Sequence, residues 1–158
     1  MKILVVMRHG DYCGLDDHLS DHGQYQITQI SDQLKTHYLN GGTARILTST
    51  AKRAVQSAAI VSQAVGAFVE EYDLLWSECG RKEDLPGALE LVQRRGSDVD
   101  LLILCTHFEY VNRFPSFFGL KELGVNLHHD RVEKGQALIV DCVDRVILAH
   151  LPERIITF

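Results

Sequence analysis

A short apolar run, Ile3-Leu4-Val5-Val6-Met7, stops abruptly at Arg8-His9-Gly10. A continuous run of this kind reads as a strand buried on both faces, here Lys2 to Met7. A second run, Val99 to Cys105, is the most apolar in the chain and reads as the middle of a parallel sheet. It leads into Thr106-His107. In an open α/β sheet, ligands bind just beyond the carboxyl ends of the strands. A guanidinium, two imidazoles and Gly10, a residue that lets backbone approach a ligand, therefore fall where chemistry is expected.

The segments between these runs alternate between helix and strand. Ser20 is placed to cap a helix carrying Ile27, Ile30, Leu34 and Tyr38 at helical spacing, stopped by Asn40-Gly41-Gly42. Arg45 to Thr48 reads as a short strand. Ala51 to Val65 reads as an alanine-rich helix closed by Gly66, and Ala67 to Tyr72 as a strand. Asp73 to Asp84 is irregular and polar. Pro86 suits the first turn of a helix running to about Arg95, with Gly96 at its end. Phe108 to Leu120 predicts a helix broken near Pro115. Gln136 to Asp141 and Arg145 to Leu151 predict two strands joined by a tight turn. The alternation predicts an α/β fold, a three-layer αβα sandwich with a largely parallel sheet.

The chain has 158 residues, which fits one domain spanning 1–158, and its 46% hydrophobic content supplies a core. A net charge of −5 argues against general nucleic-acid or anionic-membrane binding, which needs a basic face. No apolar stretch approaches the roughly 20 residues that span a bilayer. The first apolar run is too short for a signal peptide, so a cytoplasmic location is expected. The four cysteines, Cys13, Cys79, Cys105 and Cys142, are scattered without a CxxC pair, and no disulfide framework is expected.

A third element joins the two strand ends. In Thr48-Ser49-Thr50-Ala51-Lys52-Arg53 a strand ends and a helix begins, with Arg53 in the first turn. Helix N-termini attract anions through free amides and the dipole. Arg8, His9, Arg53 and His107 thus converge from three strand ends on one edge of the sheet. Guanidinium binds phosphate as a planar fork of donors. Imidazole can attack phosphorus and hold a phosphoryl group covalently. With three or four cationic groups, such chemistry needs no metal and no cofactor.

These residues lie in four ordered motifs: Arg8-His9-Gly10; Leu19-Ser20-Asp21-His22-Gly23-Gln24-Tyr25-Gln26; Ser49, Arg53, Ser57 and Ala58; and Thr106-His107. In them the chain resembles, over nearly its whole length, the histidine phosphatase superfamily, also called phosphoglycerate mutase-like. The resemblance implies His9 as nucleophile and Arg8, Arg53 and His107 as the rest of the phosphate pocket, with Gly10 and Ser49 at its border. The small size and the Arg-His-Gly-Asp start resemble the SixA-type phosphohistidine phosphatases, which implies a phosphorylated protein as partner.

Family members often supply a general acid after the third strand or just after the second histidine. Here Phe108 follows His107, and Glu109 is expected to face elsewhere. Glu78, in the irregular segment, is the candidate acid, while Glu83 and Asp84 are expected to start a helix. With Glu78 as acid, the alternative is a phosphomonoesterase or mutase for a small phosphorylated substrate. A second alternative is a non-catalytic phosphate-binding module. Oligomeric state is not legible.

Other groups are set aside. His128-His129-Asp130 reads as a surface edge on a strand, where neighbouring side chains diverge. His37 and His150 have no evident partners. Phe108, Tyr110, Phe114, Phe117 and Phe118 read as helix-to-sheet core, and Arg94-Arg95 as a charge pair at a helix C-terminus.

Overall fold

Runs that read as buried on both faces form the centre of the sheet. The computed structural model describes residues 1–153. In chain order the elements are β1 (Ile3–Arg8), α1 (Asp21–His37), β2 (Ala44–Thr48), α2 (Lys52–Val65), β3 (Phe68–Glu71), α3 (Leu85–Gly96), β4 (Leu101–Thr106), α4 (Phe108–Phe118), β5 (Ala137–Asp141) and β6 (Val146–Leu151). A single 3₁₀ turn, Asp73–Leu75, lies in the irregular segment after β3.

The strands form one sheet in the order β3-β2-β4-β1-β5-β6. β3, β2, β4 and β1 are parallel, and β5 and β6 complete the sheet as an antiparallel hairpin. Side chains alternate across it, as the pleat requires. Val5, Met7, Ile103, Cys105 and Ile139 face α1 and α2, meeting Ile27, Leu34, Ala54, Ala58 and Val61. Leu4, Val6, Leu102, Leu104 and Leu138 face α3 and α4, meeting Leu91, Val92, Tyr110, Phe114 and Phe118. This is the three-layer αβα arrangement that the alternation predicts. Among the described residues no helix is long and apolar enough to cross a membrane.

The helix ends divide into two kinds. Ser20 caps α1 by accepting from the Gly23 amide, and Asp84 caps α3 by accepting from the Gly87 amide. The N-termini of α2 and α4 carry no side-chain cap. Their first turns, with Arg53 and Phe108, open at the carboxyl edge of the sheet. The first amides of these two helices are thus left for groups other than a cap at that edge.

Several expectations need correction. The helix does not break near Pro115; α4 runs through it to Phe118 and relaxes into a π-helical turn, Gly119–Leu123. His128-His129-Asp130 lies in irregular backbone rather than on a strand, so strand alternation does not govern it. His150 has a partner, since its Nε2 lies 3.0 Å from Gln136 Oε1. Arg95 does more than end α3, because its Nε and Nη2 donate to Glu70 at 2.9 and 2.6 Å. Tyr110, Phe114 and Phe118 are core as expected, whereas Phe108 is only half-buried. All four cysteines are free.

Gly10 also permits a close approach of backbone to backbone. A β-carbon there would sit 2.6 Å from the Gly23 carbonyl oxygen, and one at Gly23 only 2.0 Å from the Asp11 carbonyl oxygen. The loop after β1 therefore lies directly on the first turn of α1, backbone to backbone. Gly23→Ala is expected to force these segments apart and lower stability by about 1–3 kcal/mol, the usual cost of overpacking. Urea denaturation of the two proteins measures it; an unchanged midpoint would show that the contact is not needed.

Candidate active site

Strand register brings the site together. Arg8 on β1 pairs with Thr106 on β4, so His9 and His107 are the next residues out on neighbouring strands. The His9 amide donates to the Thr106 carbonyl, and the Ser49 amide to the Cys105 carbonyl. The two imidazole centroids are 5.1 Å apart, and both residues are fully buried.

His9 is oriented by its own loop. Its Nδ1 lies 2.9 Å from the Gly10 carbonyl oxygen. A carbonyl can only accept, so Nδ1 carries the proton and Nε2 presents a lone pair. The Gly10 amide donates to Ser57 Oγ at 3.1 Å, and Ser57 Oγ donates to the Arg53 carbonyl at 2.8 Å. The loop holding His9 is thereby fastened to α2.

Arg53 links every part of the site. Its Nε donates to His9 Nε2 at 3.2 Å, Nη1 donates to Asp17, and Nη2 donates to Glu78 Oε2 at 2.9 Å. Nη2 also lies 3.3 Å from His107 Nδ1. The Tyr12 ring lies 4.6 Å from this guanidinium. Burial opposes the charge on Arg53, but Asp17 and Glu78 outweigh it and hold its pKa above the ordinary value.

His107 presents Nδ1 to the site, because Nε2 is 2.7 Å from Ser49 Oγ behind it. Ser49 is fully buried and touches the imidazole, so the structure places it as the residue that orients His107. Trp76 stacks on the same ring at 6.2 Å. Burial lowers the pKa of His107, and the charges of His9 and Arg53 add to this against the pull of Glu78. Arg8 reaches Glu78 Oε1 at 3.4 Å with Nη2 and Glu133 at 3.8 Å with Nη1, and it lies over the Phe108 ring.

Glu78 is the carboxylate at the centre. Its Oε1 also accepts from the Phe108 amide at 3.1 Å and lies 3.7 Å from His9 Nε2. Its Oε2 lies 3.6 Å from His107 Nδ1. Burial alone would raise its pKa, but His107, His9 and the Phe108 amide hold it well below the usual carboxylate range. In this state Glu78 carries no proton to donate. Glu109 faces elsewhere as expected, accepting from Ser77 Oγ at 2.6 Å. Glu83 pairs with Arg113.

Ligand atoms of His9, Glu78 and His107 lie within 4.8 Å of one another, close enough to consider a metal ion. Two guanidiniums, however, already donate to that carboxylate, one to each oxygen. Positive charge on both flanks suits an anion, not a divalent cation. A cleft of about 370 Å³, lined by Lys2, Tyr38, Asp100 and Asp141, lies at the opposite end of the strands.

All seven candidate site residues lie at one sheet edge. Sequence reasoning missed Asp17, Tyr12 and Trp76. Asp17 carried no signal beyond membership of an acidic loop, since only the folded loop turns it toward Arg53.

The linked pKa shifts predict acid sensitivity. His107 and His150 are both lowered by burial. Unfolded histidine takes up its proton near pH 6.5 while the folded ring resists, so stability falls as pH drops below about 6.5. Glu78 is lowered as well, so its contribution is present above its unfolded pKa and falls away below about pH 4.5. Urea midpoints at pH 7.5, 5.5 and 4 should therefore decline in both steps, and His107→Gln should flatten the first. A flat profile across this range would contradict the assignment.

No protein-family model matches the chain, and no curated protein does by sequence. Solved structures do match. A protein named SixA from Nakamurella multipartitia superposes with a TM-score of 0.71 at 17% identity, over 99% of this chain and 97% of that one. The protein histidine phosphatase SixA complexed with tungstate gives 0.69 at 17% identity, over 94% and 95%. A mycobacterial glucosyl-3-phosphoglycerate phosphatase complexed with VO3 gives 0.65 at 14% identity, over 89% and 91%. The chain has the phosphoglycerate mutase-like fold of these phosphatases, the fold that its four motifs imply.

Proposed function

We propose that the chain is one histidine phosphatase domain that hydrolyses phosphohistidine on a partner protein through a covalent phosphohistidine on His9. The observation that carries this reading is the arrangement around His9 Nε2. The Nε2 lone pair accepts from Arg53 Nε at 3.2 Å and lies beside His107, on a ring whose other nitrogen is fixed as N–H by the Gly10 carbonyl. A purely phosphate-binding module has no use for a nucleophile prepared in this way. The SixA protein complexed with tungstate, an oxyanion, has nearly the same chain length and the same fold.

The reaction then has two matched halves. His9 Nε2 attacks phosphorus in line, and Arg8, Arg53 and His107 bind the non-bridging oxygens, stabilising charge by position alone. The bond from Nε2 to phosphorus forms as the substrate P–N bond breaks. A substrate imidazole protonated on its other nitrogen departs as neutral imidazole. The phosphorylated His9 ring likewise keeps its Nδ1 proton on Gly10. When water attacks, the P–N pair returns to Nε2, neutral His9 leaves, and the water proton goes to phosphate. Neither half needs a general acid, a metal or a cofactor.

This reading predicts faster hydrolysis of a phosphohistidine peptide than of an alkyl ester such as glycerol 2-phosphate. His9→Ala abolishes turnover of both, and Arg53→Ala lowers it by about 10²–10³-fold, as for removal of one donor to a developing charge. Vanadate inhibits and EDTA does not. Better ester hydrolysis that is lost in Glu78→Gln would move the assignment to a small-molecule phosphomonoesterase or mutase. No turnover of either substrate, and no phosphoenzyme, would leave a binding module.

A further inference from the structure

We propose that Glu78 is a built-in competitor that occupies the phosphoryl position of the empty protein, so that segment 76–81 must swing outward before substrate enters. The inference rests on the phosphatase reading and adds regulation of that same site.

Three observations carry it. First, the Glu78 carboxylate uses the donors that a phosphoryl group would use. Its two oxygens take Arg8 Nη2 at 3.4 Å, Arg53 Nη2 at 2.9 Å and the Phe108 amide at 3.1 Å, and face His9 Nε2 at 3.7 Å. An oxyanion bound for attack by His9 must stand within reach of that Nε2, where the carboxylate already lies. Both cannot be there.

Second, the backbone that delivers Glu78 is held in an unfavourable shape. Glu78, Cys79 and Gly80 have φ of 77°, 53° and 85°, three successive left-handed residues of which two have side chains. Such strain persists only where surrounding contacts over-determine it, and here the contacts are those of the carboxylate itself. The turn is otherwise closed by one isolated bridge between Glu78 and Arg81. Displacing Glu78 therefore releases strain, and an outward swing also gives up the Ser77–Glu109 hydrogen bond and the Trp76 stack on His107.

Third, the charges match in the empty state and invite exchange. Arg53 is flanked by Asp17 on one side and Glu78 on the other. A phosphoryl group brings up to two negative charges where Glu78 brings one, so it gains more from the same cations. The segment thus keeps the cations compensated without substrate and yields to a stronger anion.

The chain has one tryptophan, Trp76, two residues before Glu78 and stacked on His107, with Arg81 over its ring. Its fluorescence reports the segment. Stopped-flow mixing with tungstate is expected to give an observed rate in the wild type that levels off with tungstate concentration, set by release of Glu78. In Glu78→Gln the rate rises linearly, and tungstate binds about tenfold tighter or more, as when a competent state below about a tenth of the population becomes dominant. A linear wild-type rate over the whole range overturns the proposal without any variant. So does Glu78→Gln affinity equal to or weaker than wild type, while turnover of phosphohistidine peptide in both proteins leaves the phosphatase reading intact. Absence of both tungstate binding and turnover overturns the two together.

Discussion

Two guanidiniums and two imidazoles meeting at one sheet edge require an anion between them. Arg53 is almost wholly buried, so water cannot screen its charge fully. The chain answers with carboxylates: Asp17 on the outer side of Arg53, Glu133 beyond Arg8, and Glu78 in the middle. Each comes from a different loop. The loops after β1, after β3 and before β5 are consequently arranged around the cations as much as around any apolar contact.

The cations in turn are placed by backbone pairing that leaves little freedom. Parallel register between β1 and β4 fixes the spacing of His9 and His107, and a slip of one residue would turn both rings to other faces. That register is secured by strands buried on both sides, Leu4 to Met7 and Leu101 to Cys105. The uncapped N-termini of α2 and α4 follow the same logic. A side-chain cap at either would fill the space that an anion must use. α1 and α3 are capped in the ordinary way by Ser20 and Asp84.

Much of this was legible in the sequence, for physical reasons that differ by residue. Strands buried on both faces announce themselves as unbroken apolar runs, and Ser20, Asp84, Pro86 and Gly66 mark helix ends through local backbone chemistry. Arg8, His9, Arg53 and His107 were found because each follows directly from such an element. Glu78 was found only as a candidate in a segment with no periodicity. Its placement depends on a left-handed turn through Glu78 and Cys79, which residues with side chains do not advertise. Asp17 was missed for the same reason, since it too adopts a positive φ, of 62°. The break expected at Pro115 did not occur because tertiary packing of Phe114 and Phe118 carries α4 past it, with the π-helical turn following. Local rules thus located the framework, while the carboxylates that complete the site are set by long-range charge.

The role of Glu78 follows from the leaving group. An alkoxide departs poorly unless a proton reaches it, so an ester hydrolase gains from a protonated carboxyl beside the scissile bond. Here the carboxyl lies beside His9 and is held ionised by the groups that surround it. A protonated imidazole departs as a neutral base and asks for no such donor. On the phosphohistidine reading the carboxylate is free of acid duty, and its value lies in the empty state. Without it, Arg8 and Arg53 would keep only Glu133 and Asp17 as counter-charges. With it, they stay in position until a more highly charged oxyanion takes its place. A group that looks like an acid by position thereby serves as a stand-in for the substrate.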